Sequence, residues 1–190
     1  MLSMKMRPLE KRFVNSDRHS SRVATQAAQR IRRIDPKPGQ RVLDVSCGNG
    51  AAAIHLAQPL GLEAVGVDVD PQQIAAARSG ANDTTQVHFQ VADATALPFA
   101  DGEFDLVYTN KTTHHIPDWE QAIAEIARVL KPGGQLIYAD FAAPFGHRLP
   151  TRRGINQTAA AHGLARDRDR RSPFHYTAYF HKREPQRAGR

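Results

Sequence analysis

The chain has 190 residues, of which 41% are hydrophobic, and this suits one globular domain with a packed core. Its single cysteine, Cys47, excludes an intramolecular disulfide and a cysteine-based zinc site, and it is compatible with a reducing compartment. The net charge of +7 is unevenly placed, because residues 42–140 carry −9 whereas residues 1–41 and residues 141–190 carry +8 each.

The two basic ends permit two interpretations. They form a surface for an anionic metabolite, a nucleic acid or a membrane, or they are solvated ends that balance an acidic centre. Few aromatic residues accompany the arginines, so nucleic acid is the less favoured partner. The N-terminus lacks the apolar stretch of a secretory signal and no segment has the roughly 18 apolar residues of a membrane span, so we expect a cytoplasmic protein.

The first predicted element is a helix over residues 18–34. Apolar residues recur in it at helical spacing, the opposite face is rich in arginine, and Pro36 and Pro38 end it. This helix belongs to a basic N-terminal segment, residues 1–40.

The next stretch opens the predicted core. A short apolar strand, Val42–Val45, leads into a turn of small residues, Ser46–Gly50, and then into an alanine-rich helix, Ala51–Ala57. Strand, glycine turn and helix form the first unit of nucleotide-binding α/β folds, where the glycines let a ligand approach the backbone. The helix N-terminus offers further N–H groups to the ligand.

Asp44 separates two ligand classes for this unit. The spacing of Gly48, Gly50 and Ala53 also fits a dinucleotide site, which keeps an NAD-dependent oxidoreductase open as an alternative. A carboxylate just before the turn would repel a pyrophosphate, however, and it favours a ligand that carries positive charge. The run Asp44–Gly50 resembles the first motif of class I methyltransferases that depend on S-adenosyl-L-methionine (SAM), with Ser46 where the family usually has a glycine.

Two later acids extend the resemblance. Asp68 ends a second apolar strand near the spacing at which an acid meets ribose hydroxyls, and Asp70–Pro71 begins a helix that runs over residues 72–79. A third strand, residues 86–91, leads to Asp93–Ala94, and the family's matching segment binds the adenine edge through the acid and the next backbone N–H.

The second half of the chain continues the alternation. We predict a fourth strand over 104–110, a helix over 119–130 capped by Asp118, a stop at Lys131–Gly134 and a fifth strand over 135–140. Residues 125–134 match the family's E-I-x-R-V-L-K-P-G-G run. Beyond them we predict a helix over 151–162, a short sixth strand over 163–166, a charged turn over 166–171 and a seventh strand over 174–182, with loops at 80–85 and 141–150. The resemblance implies a Rossmann-like, doubly wound α/β sheet of seven strands, mostly parallel with the seventh antiparallel, and with helices on both faces.

The resemblance also implies the binding site for SAM and its product, S-adenosyl-L-homocysteine. The expected cofactor residues are Asp44, Ser46, Cys47, Gly48, Asn49, Gly50, Asp68, Val69, Asp93, Ala94 and Asn110. The acceptor should lie beyond the fourth strand, since ligands bind at the carboxyl ends of parallel strands. His114 is our candidate catalytic base, with His115 or Lys111 as alternatives. Arg18, His19 and Arg22 of the N-terminal helix can approach the cofactor or the acceptor.

Several methylation chemistries are excluded by the residues that they require. Cytosine C5 methylation needs a cysteine nucleophile, whereas Cys47 lies inside the cofactor turn. The N/D-P-P-Y/F segment of exocyclic-amine methyltransferases is replaced by Asn110-Lys111-Thr112-Thr113. No carboxylate cluster suits a magnesium site, and we predict no metal.

The favoured hypothesis is a one-domain methyltransferase that acts on a small-molecule O, N, S or C nucleophile. In it, residues 1–40 form the basic helical segment, 41–141 the cofactor-binding core, and 142–190 the last helix, strands six and seven and a basic tail. A homodimer is possible. An RNA or protein methyltransferase that uses the basic ends, and a non-catalytic SAM-binding subunit, stay open as alternatives.

Overall fold

Helices and strands alternate along the chain in the computed structural model, which describes residues 16–81, 86–141, 150–171 and 175–185. The elements in chain order are α1 (Asp17–Ile31), β1 (Arg41–Val45), α2 (Ala51–Leu60), β2 (Glu63–Asp68), α3 (Pro71–Gly80), β3 (Val87–Val91), β4 (Phe104–Asn110), α4 (Trp119–Val129), β5 (Leu130–Phe141), α5 (Arg152–Ala161), β6 (Leu164–Arg171) and β7 (His175–Lys182). Short 3-10 turns at Arg32–Ile34 and Thr113–His115 follow α1 and β4.

All seven strands form one sheet in the order β3-β2-β1-β4-β5-β7-β6. Strands β1 to β5 pair in parallel, and β7 pairs antiparallel with both β5 and β6. The predicted fold class is therefore confirmed, including the antiparallel seventh strand. The strand order reverses between β1 and β4, and that point is where doubly wound sheets bind their ligands.

Helices cover both faces of the sheet. On one face, Ala27 and Ile31 of α1 and Leu56 of α2 pack with Tyr108 of β4 and Tyr179 of β7. On the other face, α4 and α5 pack against a second apolar cluster. The central strands are thus covered on both faces, which explains why most residues of β1, β2 and β4 are buried.

The β1–α2 unit forms as predicted, and packing explains why the second glycine of its turn is a glycine. Gly50 adopts φ +76°, and a Cβ atom there would lie 2.5 Å from the Phe89 ring and 2.9 Å from Ala77. Gly50 thus lets α2 start close against β3 and α3, whereas a Cβ atom on Gly48 would lie 4.0 Å from Gln73 Oε1, an ordinary contact.

The predicted charged turn at 166–171 is wrong, because these residues belong to β6. Arginine and aspartate alternate there, and the pattern lacks the apolar residues that predict a strand. Strand β6 lies at the sheet edge, where charged side chains reach solvent and discourage pairing with another chain. Ion pairs such as Arg166 with Asp169, at 3.6 Å, stabilise the arrangement.

Strand β5 also begins earlier than predicted, at Leu130, and it includes the Lys131–Gly134 segment that we expected to be a stop. Its pairing with β4 shifts register between Phe104 and Leu106, which accommodates the glycines. A Cβ atom on Gly134 would lie 2.8 Å from the Lys131 carbonyl oxygen, so this close approach requires glycine.

The remaining predicted elements appear within one to three residues of their expected bounds. The predicted loops at 80–85 and 141–150, the first 15 residues and the last five lie wholly or mostly outside the described residues. Within the described ranges, no helix has the length and apolar character that a membrane crossing requires.

Candidate active site

Polar side chains collect at the carboxyl ends of the strands. Asp44 lies near the end of β1, Asp68 ends β2, Asn110 ends β4 and Asp140 lies near the end of β5. Parallel strands bring these ends to one edge of the sheet, beside the reversal of strand order. The structure therefore brings the sequence-predicted residues together and adds Asp140 to them.

Asp44 is the most perturbed acid of this group. Its side chain is buried, and its Oδ2 atom accepts no hydrogen bond from any described residue. Burial, together with the charge of Asp68, raises the pKa of Asp44 to about 8. A buried carboxyl oxygen without a donor suits a positively charged or N–H-bearing ligand group at the turn.

Asp68 fixes the turn between β1 and α2. Its Oδ2 accepts from the Gly48 N–H at 3.0 Å, and its Oδ1 accepts from the Asp70 N–H at 2.9 Å. Asp70 in turn caps α3 by accepting from Gln72 N–H at 3.0 Å, as predicted. The carboxylate predicted to bind ribose thus already holds both neighbouring loops.

The turn after β1 has the backbone conformation of a glycine-rich loop, although Ser46 occupies the position of the first glycine. Ser46 adopts φ +60°, a left-handed conformation that glycine takes with less strain. Cys47 follows, and burial together with Asp44 raises the pKa of its thiol. An uncharged thiol is a poor nucleophile, so Cys47 serves the turn and not a covalent mechanism.

Helix α1 begins beside this turn. The Asn49 Nδ2 donates to Ser20 Oγ at 2.7 Å, and the Asn49 Oδ1 accepts from Ala51 N–H at 3.4 Å. Burial, then Lys111 and Arg22, lower the pKa of His19. The predicted approach of this N-terminal segment to the site is thus supported for His19 and Arg22, which act electrostatically on each other and on Lys111.

The adenine candidates lie on a loop that α4 holds in place. Asp93 Oδ1 accepts from the backbone and the hydroxyl of Thr95, at 2.9 and 2.8 Å, and Ala94 is buried. Arg128 of α4 donates to the Leu97 and Phe99 carbonyls, at 2.9 and 2.7 Å. The motif around Arg128 therefore positions the Asp93 loop.

Exposed apolar side chains border the same edge. The large apolar residues that are most exposed among those described are Val69 at 50%, Val91 at 48% and Phe141 at 41%. They follow or end β2, β3 and β5 respectively. Apolar side chains left uncovered around a polar edge indicate walls that a ligand covers.

Asn110 has a partner that the sequence did not suggest. Arg30 of α1 donates through Nη1 to Asn110 Oδ1 at 3.0 Å and to the Tyr108 hydroxyl at 2.9 Å. Burial raises the pKa of Tyr108 to about 12, so its hydroxyl is neutral at this contact. Arg30 thus spans from the first helix to the end of β4.

His114 is held by an acid. Its Nδ1 lies 2.7 Å from Asp140 Oδ1, and Thr113 donates to Asp140 Oδ2 at 2.6 Å. The Phe141 N–H adds a further donor to Oδ1 at 2.8 Å. Burial alone would raise the pKa of Asp140, but the contacts with His114 and these donors hold it below its usual range. Because Asp140 is ionised, Nδ1 carries the proton and Nε2 of a neutral imidazole is the proton acceptor.

The two alternatives to His114 lie beside it. The His115 ring centroid is 3.9 Å from that of His114, and the Lys111 ammonium lies 5.4 Å from the centroid of the Phe141 ring. Lys111 adopts φ +56°, which is strained for a lysine. His114 has a carboxylate contact at hydrogen-bond distance, which makes it the better placed base.

Three residues of the site have contacts that the sequence analysis did not predict. Asp140 carried a usable signal, because it ends an apolar strand as Asp68 does. Arg30 carried none, since it belongs to the arginine-rich face of a helix that the pattern assigns to solvent. Arg128 was recognised in its motif, but its contacts with the Asp93 loop depend on the fold.

The geometry agrees with a family match. A family described as methyltransferase domain matches residues 43–138, about half of the chain, and the chain belongs to this family. That span runs from within β1 to within β5 and includes all the predicted cofactor residues.

Curated relatives resemble the same part of the chain. An O-methyltransferase of Penicillium expansum, cnsE, is 40% identical over 111 residues, which are 57% of this chain and 40% of the relative. Methyltransferase GfsG of Streptomyces halstedii is 41% identical over 117 residues, which are 59% and 41% of the two chains. A 27-O-demethylrifamycin SV methyltransferase of Amycolatopsis mediterranei is 38% identical over 108 residues, or 55% and 40%. The match thus spans about two fifths of each relative's length.

Solved structures share the fold. A SAM dependent methyltransferase from Aquifex aeolicus superposes with a TM-score of 0.78 at 17% identity, covering 94% of this chain and all of that one. The cyclase SpnF superposes with a TM-score of 0.76 at 20% identity, covering 88% and 83%. Because a cyclase and a methyltransferase have the same fold, the fold alone does not define the activity.

Proposed function

We propose that the protein is a SAM-dependent methyltransferase that transfers a methyl group to an oxygen of a small molecule. The observation that carries this proposal is the Asp140–His114 pair at the carboxyl edge of the sheet, beside the buried and unpartnered carboxyl oxygen of Asp44. Asp44 suits the binding of the cofactor, and the Asp140–His114 pair suits the removal of a proton from a hydroxyl.

The residues of the turn and of the strand ends fit SAM. Asp44 would ionise beside the ammonium and sulfonium groups and pair with them, Asp68 accepts from ribose hydroxyls, and Asp93 with Ala94 meets the adenine edge. Val69 supplies an exposed apolar surface for the adenine ring. The other cofactor residues in this proposal are Ser46, Cys47, Gly48, Asn49, Gly50 and Asn110.

The same edge does not suit a pyrophosphate. The charge of Asp68 beside the glycine turn would repel a phosphate placed there, and a phosphate would also oppose the ionisation of the buried Asp44. This argues against the NAD-dependent oxidoreductase.

The chemistry divides between the cofactor and the protein. SAM, when bound, supplies an activated methyl group, so the protein has to align the nucleophile and remove its proton. His114 accepts that proton at Nε2, and Asp140 stabilises the imidazolium that results. Thr113 and the Phe141 N–H hold Asp140 during this exchange.

The oxygen acceptor is favoured by two observations. A positioned histidine base helps a hydroxyl acceptor, which must lose a proton on reaction. The relatives cnsE and the rifamycin enzyme are named as O-methyltransferase and 27-O-demethylrifamycin SV methyltransferase. The cytoplasmic location, the single domain and a homodimer stay predictions.

Calorimetry tests the cofactor site directly. S-adenosyl-L-homocysteine should bind the wild type in the micromolar range, and Asp68→Asn should weaken binding by roughly one to a few kcal/mol through lost charged hydrogen bonds. Glu63→Gln is the matched control, because it removes a carboxylate at the exposed start of the same strand, and it should bind like the wild type. If the wild type and Asp68→Asn bind equally, the proposed ribose contact is wrong.

Turnover separates the remaining alternatives. Production of S-adenosyl-L-homocysteine from SAM and a phenolic acceptor by the isolated protein would exclude a non-catalytic subunit. Methylation of RNA or protein in place of every small acceptor would support the alternative that uses the basic ends.

A further inference from the structure

The two basic ends of the sequence meet on one face of the fold. Arg168 of β6 donates through Nη2 to the carbonyl oxygen of Arg33, 135 residues away, and its guanidinium lies 4.5 Å from the centroid of the Tyr179 ring. Tyr179 packs in the same apolar cluster as α1. The arginines of the first helix and of the edge strand therefore share a surface.

A cavity of about 280 Å³ lies between α1 and the β6–β7 hairpin on this surface. Its lining includes three arginines, Arg30, Arg33 and Arg170, and the imidazole of His175. The volume is near the lower end for a small-molecule site and suits part of a ligand, such as one anionic group with a short attachment.

The three arginines of this cavity have no carboxylate partner among the described residues. Over the described ranges, no carboxylate oxygen lies within 4.0 Å of the guanidinium groups of Arg30, Arg33 or Arg170. Arg30 is instead held by two neutral groups, the Tyr108 hydroxyl and the Asn110 amide oxygen. Neutral acceptors fix the position of a guanidinium and leave its charge for a ligand.

Neighbouring groups respond to this positive field. Burial, then Lys111 and Arg30, lower the pKa of His175, and burial, then Arg30 and Arg22, lower the pKa of Lys111. Asp140 acts on both in the opposite direction but is already engaged by His114 and Thr113. Like charges placed around a cavity repel each other, and a bound anion would relieve that repulsion.

A row of rings connects this cavity to the candidate base. The Phe141 ring centroid lies 5.0 Å from that of His114 and 5.5 Å from that of His175. Phe141 is also among the most exposed apolar residues of the described chain. A flat acceptor lying along Phe141 would have one end at His114 and the other at the arginines.

We propose that the cavity between α1 and the β6–β7 hairpin, which we call the anion pocket, binds a carboxylate or phosphate group of the methyl acceptor. Arg30, Arg33 and Arg170 hold this group, and the acceptor's hydroxyl is thereby directed to His114. A small acceptor is favoured over a nucleic acid because the cavity is small and Tyr179, its aromatic lining residue, is buried and not exposed for base stacking. The role of the acceptor rests on the proposed methyltransferase function, whereas the anion pocket itself does not.

Binding of matched phenols tests the anion pocket. The probes are 4-hydroxybenzoate, 4-hydroxyphenyl phosphate and the neutral 4-hydroxybenzamide, each titrated by calorimetry in the presence of S-adenosyl-L-homocysteine. At least one anionic probe should bind about tenfold or more tightly than the amide, because a charged group pairs with arginine. The better anion distinguishes a carboxylate from a phosphate acceptor.

Charge-matched variants locate the site. Arg33→Gln combined with Arg170→Gln should remove about tenfold or more of the anionic probe's affinity and leave the amide unchanged. Arg32→Gln is the control, since it removes the same kind of charge from an exposed residue beside the cavity, and it should change affinity by less than about twofold. Affinity for S-adenosyl-L-homocysteine should be the same in all these proteins.

Three results would overturn the anion pocket. The first is equal binding of the amide and the anions, and the second is an equal loss of affinity in Arg32→Gln and in the double variant. The third is tighter, steeply salt-dependent binding of a single-stranded RNA 12-mer to which Arg32, Arg33 and Arg170 contribute equally. If anions bind as expected but the wild type does not bind S-adenosyl-L-homocysteine, the anion pocket stands and the methyltransferase proposal fails. If S-adenosyl-L-homocysteine binds but the anionic probes bind no more tightly than the amide, the methyltransferase proposal stands and the anion pocket fails.

Discussion

Asp140 keeps the imidazole of His114 in one tautomer, so the two residues should act as a unit. His114→Gln removes the proton acceptor and should lower kcat by roughly 10²–10⁴-fold. Asp140→Asn removes the charge that stabilises the imidazolium and should lower kcat at least about tenfold. Both effects are measured with a phenol that the wild type methylates.

Two controls distinguish this role from a structural one. His115→Gln changes the adjacent ring and should leave kcat within about threefold of the wild type. The affinity for S-adenosyl-L-homocysteine should be unchanged in all three variants. A larger loss in His115→Gln than in His114→Gln would reassign the base.

Asp44 should make the stability of the protein depend on pH. Burial and Asp68 raise its pKa to about 8 in the folded protein, from 3.8 in a model compound. Between these two values the folded state holds a proton that the unfolded chain releases. The stability due to Asp44 is therefore complete below about pH 4 and is lost as the pH rises through about 8.

Asp44→Asn should flatten this part of the stability curve. The amide stays neutral, so the variant should have a higher Tm than the wild type at pH 8.5, by roughly 2–4 °C for each kcal/mol recovered. The difference should shrink at pH 5, where the wild-type carboxyl is protonated. The measurement is thermal unfolding followed by circular dichroism across that range, and a parallel pair of curves would show that Asp44 does not titrate there.

At the scale of elements, α4 and the loop before β4 depend on each other through Arg128. Its guanidinium contacts Glu125 and Asp101 at 2.8 Å, besides two carbonyls of the loop, and these contacts raise its pKa. Leu97 N–H donates to Glu125 at 2.8 Å and completes the connection. An arginine fork with several charged partners is difficult to replace.

Arg128→Gln should lower the free energy of unfolding by about 2–3 kcal/mol, because it breaks several charge-assisted hydrogen bonds at once. It should also weaken the binding of S-adenosyl-L-homocysteine, since the Asp93 loop loses its contacts with Arg128. Urea denaturation and calorimetry measure the two effects. Arg128→Lys keeps the charge but not the forked guanidinium, so its free energy of unfolding should lie between those of Arg128→Gln and the wild type. Equal stability of all three proteins would refute the role of the guanidinium.

The sequence predicted best those elements that pack between other layers of the fold. Strands β1 and β4 each contain a short run of buried apolar residues and helix α4 has a clear apolar stripe, because each packs between layers. Strand β6 was predicted only at its start, because the charged residues that continue this edge strand have no such pattern. The sequence thus predicts the centre of the sheet better than its margin.

The candidate site divides in a similar way. Asp44, Asp68 and Asp93 belong to local motifs, so their positions relative to the turns follow from spacing alone. The Arg30–Asn110 contact joins residues 80 positions apart, and the Arg168–Arg33 contact joins residues 135 apart. Contacts of this kind depend on how the layers stack, which local spacing does not encode.

At the scale of the whole molecule, α1 connects the cofactor edge with the anion pocket. Its first half contacts the turn after β1 through Ser20 and Asn49, and its second half contacts β4 through Arg30. A ligand that orders the turn should therefore also stabilise the start of the helix, because the two share a hydrogen bond.

Hydrogen exchange tests this connection. S-adenosyl-L-homocysteine should slow amide exchange in the turn at residues 46–50 and also in the first turns of α1, around residues 20–24. Ser20→Ala removes the shared hydrogen bond and leaves the turn intact, so it should keep the protection of the turn and reduce that of α1 by about fivefold, the effect of about 1 kcal/mol. Thr25→Ala, which removes a hydroxyl bonded only within α1, is the matched control. Equal protection of α1 in both variants would mean that the helix is stabilised by its packing on α2 and not through Asn49.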